Sequence, residues 1–271
     1  MKDYKKRLGD RRDARLLRDI DSMHFIMPII YPNRCDNEAY ISVRVDLTAM
    51  NEYLRRKNEG DPDFKYTLFH AIVTALIKTI TLRPRLNTFI ANENLYERDR
   101  VSAAFIVKRQ FADSASEGLA IVRAEDEDNI DTIHDRIKRF VTEYRGGRND
   151  TSGTQDSMDI LNKLPRFISK AAIHFIMWLE KHGWCPEFLI SDDPYYSSVV
   201  VSNLGSIKLK SGYHHLTNWG TCSLFCIIGE KEMTPFFRPD GTYEMRQTWT
   251  WALPLMNGWP TAIITQNPYG F

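Results

Sequence analysis

The residues best suited to moving a proton sit side by side at His214 and His215, in the string HHLTNWG (214–220). An imidazole accepts and returns a proton near neutral pH, so this pair is where acid–base chemistry on a thiol or alcohol is sought first. Upstream, Ser202 ends an apolar run in VVVSNLG (199–205). A hydroxyl there either donates to a developing oxyanion or closes a Ser-Asn turn. His70, His134 and His174 fall inside helical patterns with no local acid–base partner, and they read as structural or surface residues. Cys222 and Cys226 would share one face of a strand, yet zinc needs two further ligands and none stands at helpful spacing. No metal is expected, and the two thiols read as small core hydrophobes. With Cys35 and Cys185 they are too few and scattered for a disulfide framework. Neither GxGxxG, GxxxxGK[ST] nor HExxH occurs, which removes the usual sequence support for nucleotide or zinc-protease chemistry.

The chain that must position these groups has 271 residues, 43% hydrophobic and 26% charged, an ordinary globular composition. Thirty-six Lys+Arg against 35 Asp+Glu leave a net charge of +1, so no nucleic-acid partner is expected. The apolar stretch 171–179 is far shorter than the roughly 20 residues a bilayer requires. The opening MKDYKKRLGD is charged and lacks the apolar core of a secretory signal. A soluble cytoplasmic protein without a membrane partner is expected.

Residues 1–35 read as an extended N-terminal arm punctuated by Pro28 and Pro32. Alternation predicts strands at 40–45, 87–91, 101–108, 118–124, 197–202 and 224–229, with a hairpin turning at Asp240-Gly241. Helical spacing predicts helices through Met50, Tyr53 and Leu54, from Thr67 to Ile80, over 130–144, and a long Pro-interrupted one over 158–182. Strands and helices mix without strict βαβ alternation, so the fold class is α+β in a single layered domain.

Four segments, in order, resemble one family. VVVSNLG (199–205) resembles the TxSNLG segment of the catalytic domain of dihydrolipoamide acyltransferases of 2-oxo acid dehydrogenase complexes, which share the chloramphenicol acetyltransferase fold. VDLTAMNEYLRR (45–56) is similar to that domain's opening strand and helix. YTLFHAIVTALIKTITLRPRLNTFI (66–90) is similar to its next helix and strand entry, and GLAIVRAEDEDNIDTIHDRI (118–137) to a later strand and helix. The resemblance implies a chloramphenicol acetyltransferase-like α+β fold, a large mixed sheet with packed helices, occupying 36–248. It implies a homotrimer with an acyl site between subunits, and acyl transfer between CoA and a dihydrolipoyl or other thiol. No cofactor is tightly held; CoA or a lipoyl thioester serves as substrate. The family's lipoyl domain and linker are not found ahead of the arm, so the acyl donor is expected on CoA or on another protein.

Ser202 occupies the position from which a family hydroxyl stabilises the oxyanion. HHLTNWG resembles the HHxxxDG signature with Trp219 in place of Asp, but the family register places it in a loop between two strands, leaving His215 as an alternative base. The family's DHRxxDG histidine falls at Leu253 and its aspartate at Asn257. A leucine cannot carry a proton, so a catalytically silent oligomeric scaffold or binding module is the alternative function. The segment TWTWALPLMNGWPTAIIT (248–265), with three Trp and two Pro, shows little strand or helix pattern. Read in a neighbouring frame, its codons accommodate VDLGLTIDERMADGYYY, which contains a relative of the expected motif. Residues 249–271 are therefore read as an aberrant, frame-shifted tail in place of the family's DHRxxDG strand and final helix.

Overall fold

The computed structural model describes residues 4–31, 33–108, 117–146 and 160–256. Its main elements follow the chain as β1 (Ala14–Leu16), α1 (Ser22–Ile30), β2 (Glu38–Asp46), α2 (Thr48–Lys57), α3 (Leu68–Leu82), β3 (Thr88–Ala91), β4 (Asn94–Arg98), β5 (Ser102–Lys108), β6 (Glu117–Arg123), α4 (Ile130–Arg145), α5 (Arg166–Lys181), β7 (Val199–Asn203), β8 (Leu224–Phe237) and β9 (Tyr243–Met256). Six strands form a mixed sheet in the order β2-β9-β8-β7-β5-β6, and three form a small sheet in the order β1-β4-β3. β7 runs parallel to both β5 and β8, and the remaining pairs are antiparallel.

Period-two alternation gives the large sheet two unlike faces. On one, Val199, Val201, Cys226, Ile228, Trp251 and Leu253 pack beneath Ile72, Val73, Ile77 and Ile80 of α3 and Ile133, Ile137 and Val141 of α4. The other presents Val200, Phe225 and Ile227 to Leu216, Cys222 and the small sheet's Ala14, Phe89 and Tyr96. α3 and α4 form because their apolar residues recur every three to four positions. Asn129 caps α4, its side-chain oxygen accepting from the amides of Asp131 and Thr132 at 2.8 and 3.2 Å. α3 gives way at Arg83-Pro84, where proline has no amide to continue the ladder.

The structure departs from the sequence reading in three places. Residues 1–35 are not simply an extended arm: β1 pairs with β4, Ala14 against Arg98, and Asp21 caps α1 across the expected breaker Pro28. The long helix is interrupted at Pro165 as expected, with residues 160–163 helical before it and Arg166–Lys181 after it, but it is only half sunk, with Ile173, Ile176, Met177 and Leu179 partly covered while Phe167, Phe175 and Trp178 are exposed. The boundary read at 249 is crossed by β9, which runs on to Met256 between β2 and β8. The physical reason is that Trp249, Trp251 and Leu253 are inward and alternate with Thr250 and Ala252, a strand pattern hidden by the tryptophans' bulk and by Pro254. Asn257 and the rest of the chain beyond Met256 lie outside the described residues.

Candidate functional site

Ser202 stands near the end of β7, half-buried, and pairs in register with Ile227 of β8. The Leu-Gly that follows opens a tight turn over 204–207. Glycine is required there by contact: a Cβ on Gly205 would lie 2.4 Å from the Gly229 carbonyl oxygen, and one on Gly229 would lie 2.5 Å from the Ser211 amide nitrogen. SNLG thus seats the loop 204–223 against β8 with backbone on backbone. Asn203 acts in this turn through its carbonyl, which accepts from the Ser206 hydroxyl at 2.7 Å.

Leu253 is 3% exposed beneath the helices. Its neighbour Ala252 pairs with Ile227, which pairs with Ser202, so these three lie in one row and share a face. Leu253 therefore points to the opposite face of the sheet from Ser202.

His215 meets unforeseen partners. Its Nδ1 lies 2.7 Å from the Tyr40 hydroxyl and 3.1 Å from Glu38 Oε2. Tyr40 donates to Glu38, and the Leu216 amide donates to the second Glu38 oxygen. Burial and the neighbouring Glu38 carboxylate push the Tyr40 phenol up to about 12. The Tyr213 ring meets Tyr40 edge-on at 5.0 Å. His214 lies flat on Phe225 at 4.3 Å, and its Nδ1 donates to the His215 carbonyl at 2.7 Å. Phe225 belongs to the Ser202 face, as do Glu38 and Tyr40, which share the face of Ser42, the partner of Ala252. The structure thus places Ser202 and His215 over the same side of the sheet, with β8 and β9 lying between Ser202's strand and that of Glu38 and Tyr40, and leaves Leu253 on the other side.

The loop's far end is clamped from both sides. Half-buried Arg34 donates to the carbonyls of Gly220 and Cys222, and buried Arg98 to that of Thr221 between them. Desolvation lowers both guanidinium groups from their usual range, Arg98 to about 10. Gly220 adopts φ +75°, and a Cβ there would lie 2.4 Å from the Tyr195 carbonyl oxygen. Trp219, standing where the resemblance wants an aspartate, donates its indole N–H to Asp193 at 2.6 Å. The sequence reading missed Glu38, Tyr40, Arg34 and Arg98. The available signal was Glu38-Ala-Tyr40, two polar residues on one face of an edge strand.

The other sequence candidates lie elsewhere. His70 and His134 are buried together, their rings 5.0 Å apart, and burial with the His134 charge lowers His70 to about 4. His174 is exposed on α5. Cys222 and Cys226 are both buried but belong to different clusters, because Cys222 precedes β8 instead of lying on it. Among the described residues no group of three or more His, Cys, Asp or Glu could hold a metal, and no helix is long and apolar enough to cross a membrane.

No protein-family model matches the sequence, and no curated protein matches it. Solved structures do match. A probable dihydrolipoamide acetyltransferase from Listeria monocytogenes aligns with TM-score 0.58 and 14% identity over 91% of this chain and 89% of that one. The Azotobacter vinelandii dihydrolipoamide acetyltransferase aligns with TM-score 0.58 and 12% identity over 98% and 90%. A chloramphenicol acetyltransferase aligns with TM-score 0.50 and 9% identity over 91% of each chain. At such identities the likeness is one of fold. The large mixed sheet with its packed helices is the fold of dihydrolipoamide acetyltransferase cores and of chloramphenicol acetyltransferase.

Proposed function

We propose that this chain is an acyltransferase of the 2-oxo acid dehydrogenase type, moving an acyl group between CoA and a dihydrolipoyl or other thiol. Ser202 is the oxyanion donor in this reading. The observation that carries it is the SNLG turn, which the Gly205–Gly229 contact fixes at the end of a central strand in a chain aligned along nine-tenths of its length with an acetyltransferase. Spacing gives further support. The Azotobacter enzyme is described for the catalytic roles of a serine, a histidine 52 residues on, and an asparagine four beyond. Here Leu253 follows Ser202 by 51 residues and Asn257 follows Leu253 by four.

Assembly as a homotrimer belongs to the same proposal. One similar structure is the cubic core of a pyruvate dehydrogenase multienzyme complex. In this chain Phe25 and Ile30 of α1, with Phe175 and Trp178 of α5, are exposed, the kind of apolar surface that subunit contacts cover. Light scattering on the purified chain tests this; a monomer at micromolar concentration argues against it.

A silent scaffold is the second reading, favoured by one observation: the family's base position is a leucine in the helix-covered core. Acetyl-CoA with free dihydrolipoamide separates the two. Turnover that falls about a hundredfold in Ser202→Ala supports the enzyme. No turnover between about pH 6 and 9 supports the scaffold. The frame-shift reading of 249–271 is tested by sequencing the gene beyond codon 248 in independent isolates; an unchanged frame there overturns it.

A further inference from the structure

The tautomer of His215 is dictated by its partners. Tyr40 gives its hydroxyl hydrogen to Glu38, so its oxygen is left to accept from His215 Nδ1, 2.7 Å away. Glu38 Oε2, 3.1 Å from the same nitrogen, also accepts. Nδ1 therefore carries a hydrogen, and in the neutral ring the lone pair is on Nε2. Nε2 has no partner among the described residues. The Glu38 side chain is 1% exposed and held on its other oxygen by the Leu216 amide, whereas the His215 side chain is 76% exposed. A buried carboxylate fixing one ring nitrogen while the other stays open is the arrangement that turns an imidazole into a directed base. The loop carrying it is itself immobilised at both ends, by Gly205 on β8 and by Arg34 and Arg98 on 220–222.

We infer that His215 is the proton acceptor for a thiol substrate, that Glu38 and Tyr40 are its positioning residues, and that the base for acyl transfer sits on this loop instead of at Leu253. The inference rests on the acyl-transfer reading above. In the step, Nε2 takes the proton of the incoming thiol, whose sulfur attacks the carbonyl carbon of an acyl thioester. The C–S bond to the departing thiol then breaks, and that sulfur recovers the proton from Nε2. One thioester and one thiol enter, one of each leaves, and nothing is oxidised or reduced.

The test measures the base apart from turnover. Diethyl pyrocarbonate acylates unprotonated imidazole nitrogen, and peptide mass spectrometry resolves each histidine. On the whole wild-type chain at neutral pH, His215 is expected to react about tenfold faster than exposed His174, and Glu38→Gln is expected to abolish that advantage without changing His174. A two-bond 1H–15N spectrum of the wild type is expected to show the Nδ1–H tautomer, so the proposal stays testable if Glu38→Gln fails to fold. With acetyl-CoA and dihydrolipoamide, His215→Gln is expected to lower kcat about a hundredfold. Glu38→Gln is expected to lower kcat at constant KM, with Glu38→Asp restoring part of it. Ordinary reactivity of His215, or an Nε2–H tautomer, overturns the proposal whatever the turnover. Exchange that survives His215→Gln overturns it and leaves the acyltransferase reading standing. A fast-reacting His215 in a wild-type chain without exchange keeps the Glu38-oriented imidazole but overturns the acyl-transfer reading and, with it, the thiol step assigned to His215.

Discussion

The two faces of the large sheet are built from the same strands and differ in what covers them. The helix side seals Leu253, Trp251 and Ile228 under α3 and α4. The other side carries Ser202, Glu38, Tyr40 and the His214–Phe225 stack beneath a loop, and only part of it is closed, by the small sheet. Chemistry needs an open edge where a substrate can replace water, and a sheet offers one only where no helix lies across it. A one-residue change of position along β9 moves a side chain from one setting to the other.

The sharpest way to break this contrast is to return an imidazole to the helix side. Leu253→His loses the burial of a leucine and desolvates a polar ring, so it is expected to cost about 3 to 5 kcal/mol in urea unfolding, with no gain in acyl transfer. A rise in transfer would show that the helix-covered position is the reactive one.

The helix side already holds one such ring. His70 is neutral in the folded chain down to about pH 4, against 6.5 for an unperturbed ring, because of burial and the charge of His134. Phe64, Tyr66 and Phe69 also face it, and the Thr67 amide donates to its Nδ1 at 3.0 Å. Between those pH values the unfolded chain binds the extra proton. The stabilisation from His70 is thus complete above pH 6.5 and lost as pH falls towards 4, by about 3 kcal/mol. Unfolding curves across that window are expected to be flatter for His70→Asn, which keeps an acceptor for Thr67. Identical slopes would remove His70 as the cause.

On the open side the decisive groups are the clamps. Arg34→Met keeps volume but strands the carbonyls of Gly220 and Cys222, an expected loss of about 1 to 3 kcal/mol. The same variant is expected to loosen the loop, slowing His215 acylation while leaving His174 unchanged. Undiminished His215 reactivity would mean that Glu38 alone orders the loop.

Much of the fold was legible because local pattern and tertiary role agree. The α3 and α4 periodicities, the Thr67 start, and strands β5 to β8 all follow from spacing that burial then rewards. β9 was illegible because three large aromatic or aliphatic residues alternate with small ones that carry no polarity signal, so Trp249-Thr-Trp-Ala-Leu253 looks irregular until β2 and β8 flank it. The site was legible only by halves. SNLG and the histidine pair stand out as strings, but Glu38 and Tyr40 lie about 175 residues away and meet His215 only through the β2–β9 pairing. Arg34 and Arg98 read as surface charges by type, and only the carbonyls of 220–222 explain why their guanidinium groups turn inward.

The smallest effect tests whether the two faces are separable. Asn129→Ala removes the acceptor for the Asp131 and Thr132 amides at the start of α4 and is expected to cost about 1 kcal/mol. α4 touches the sheet only on the helix side, so the cost belongs to Ile133, Ile137 and Val141 and their packing. His215 acylation is expected to match wild type, since its carboxylate, phenol and loop anchors all lie on the other face. A slowed His215 in this variant would show that strain passes through the strands, with helix cover and open loop forming one cooperative unit.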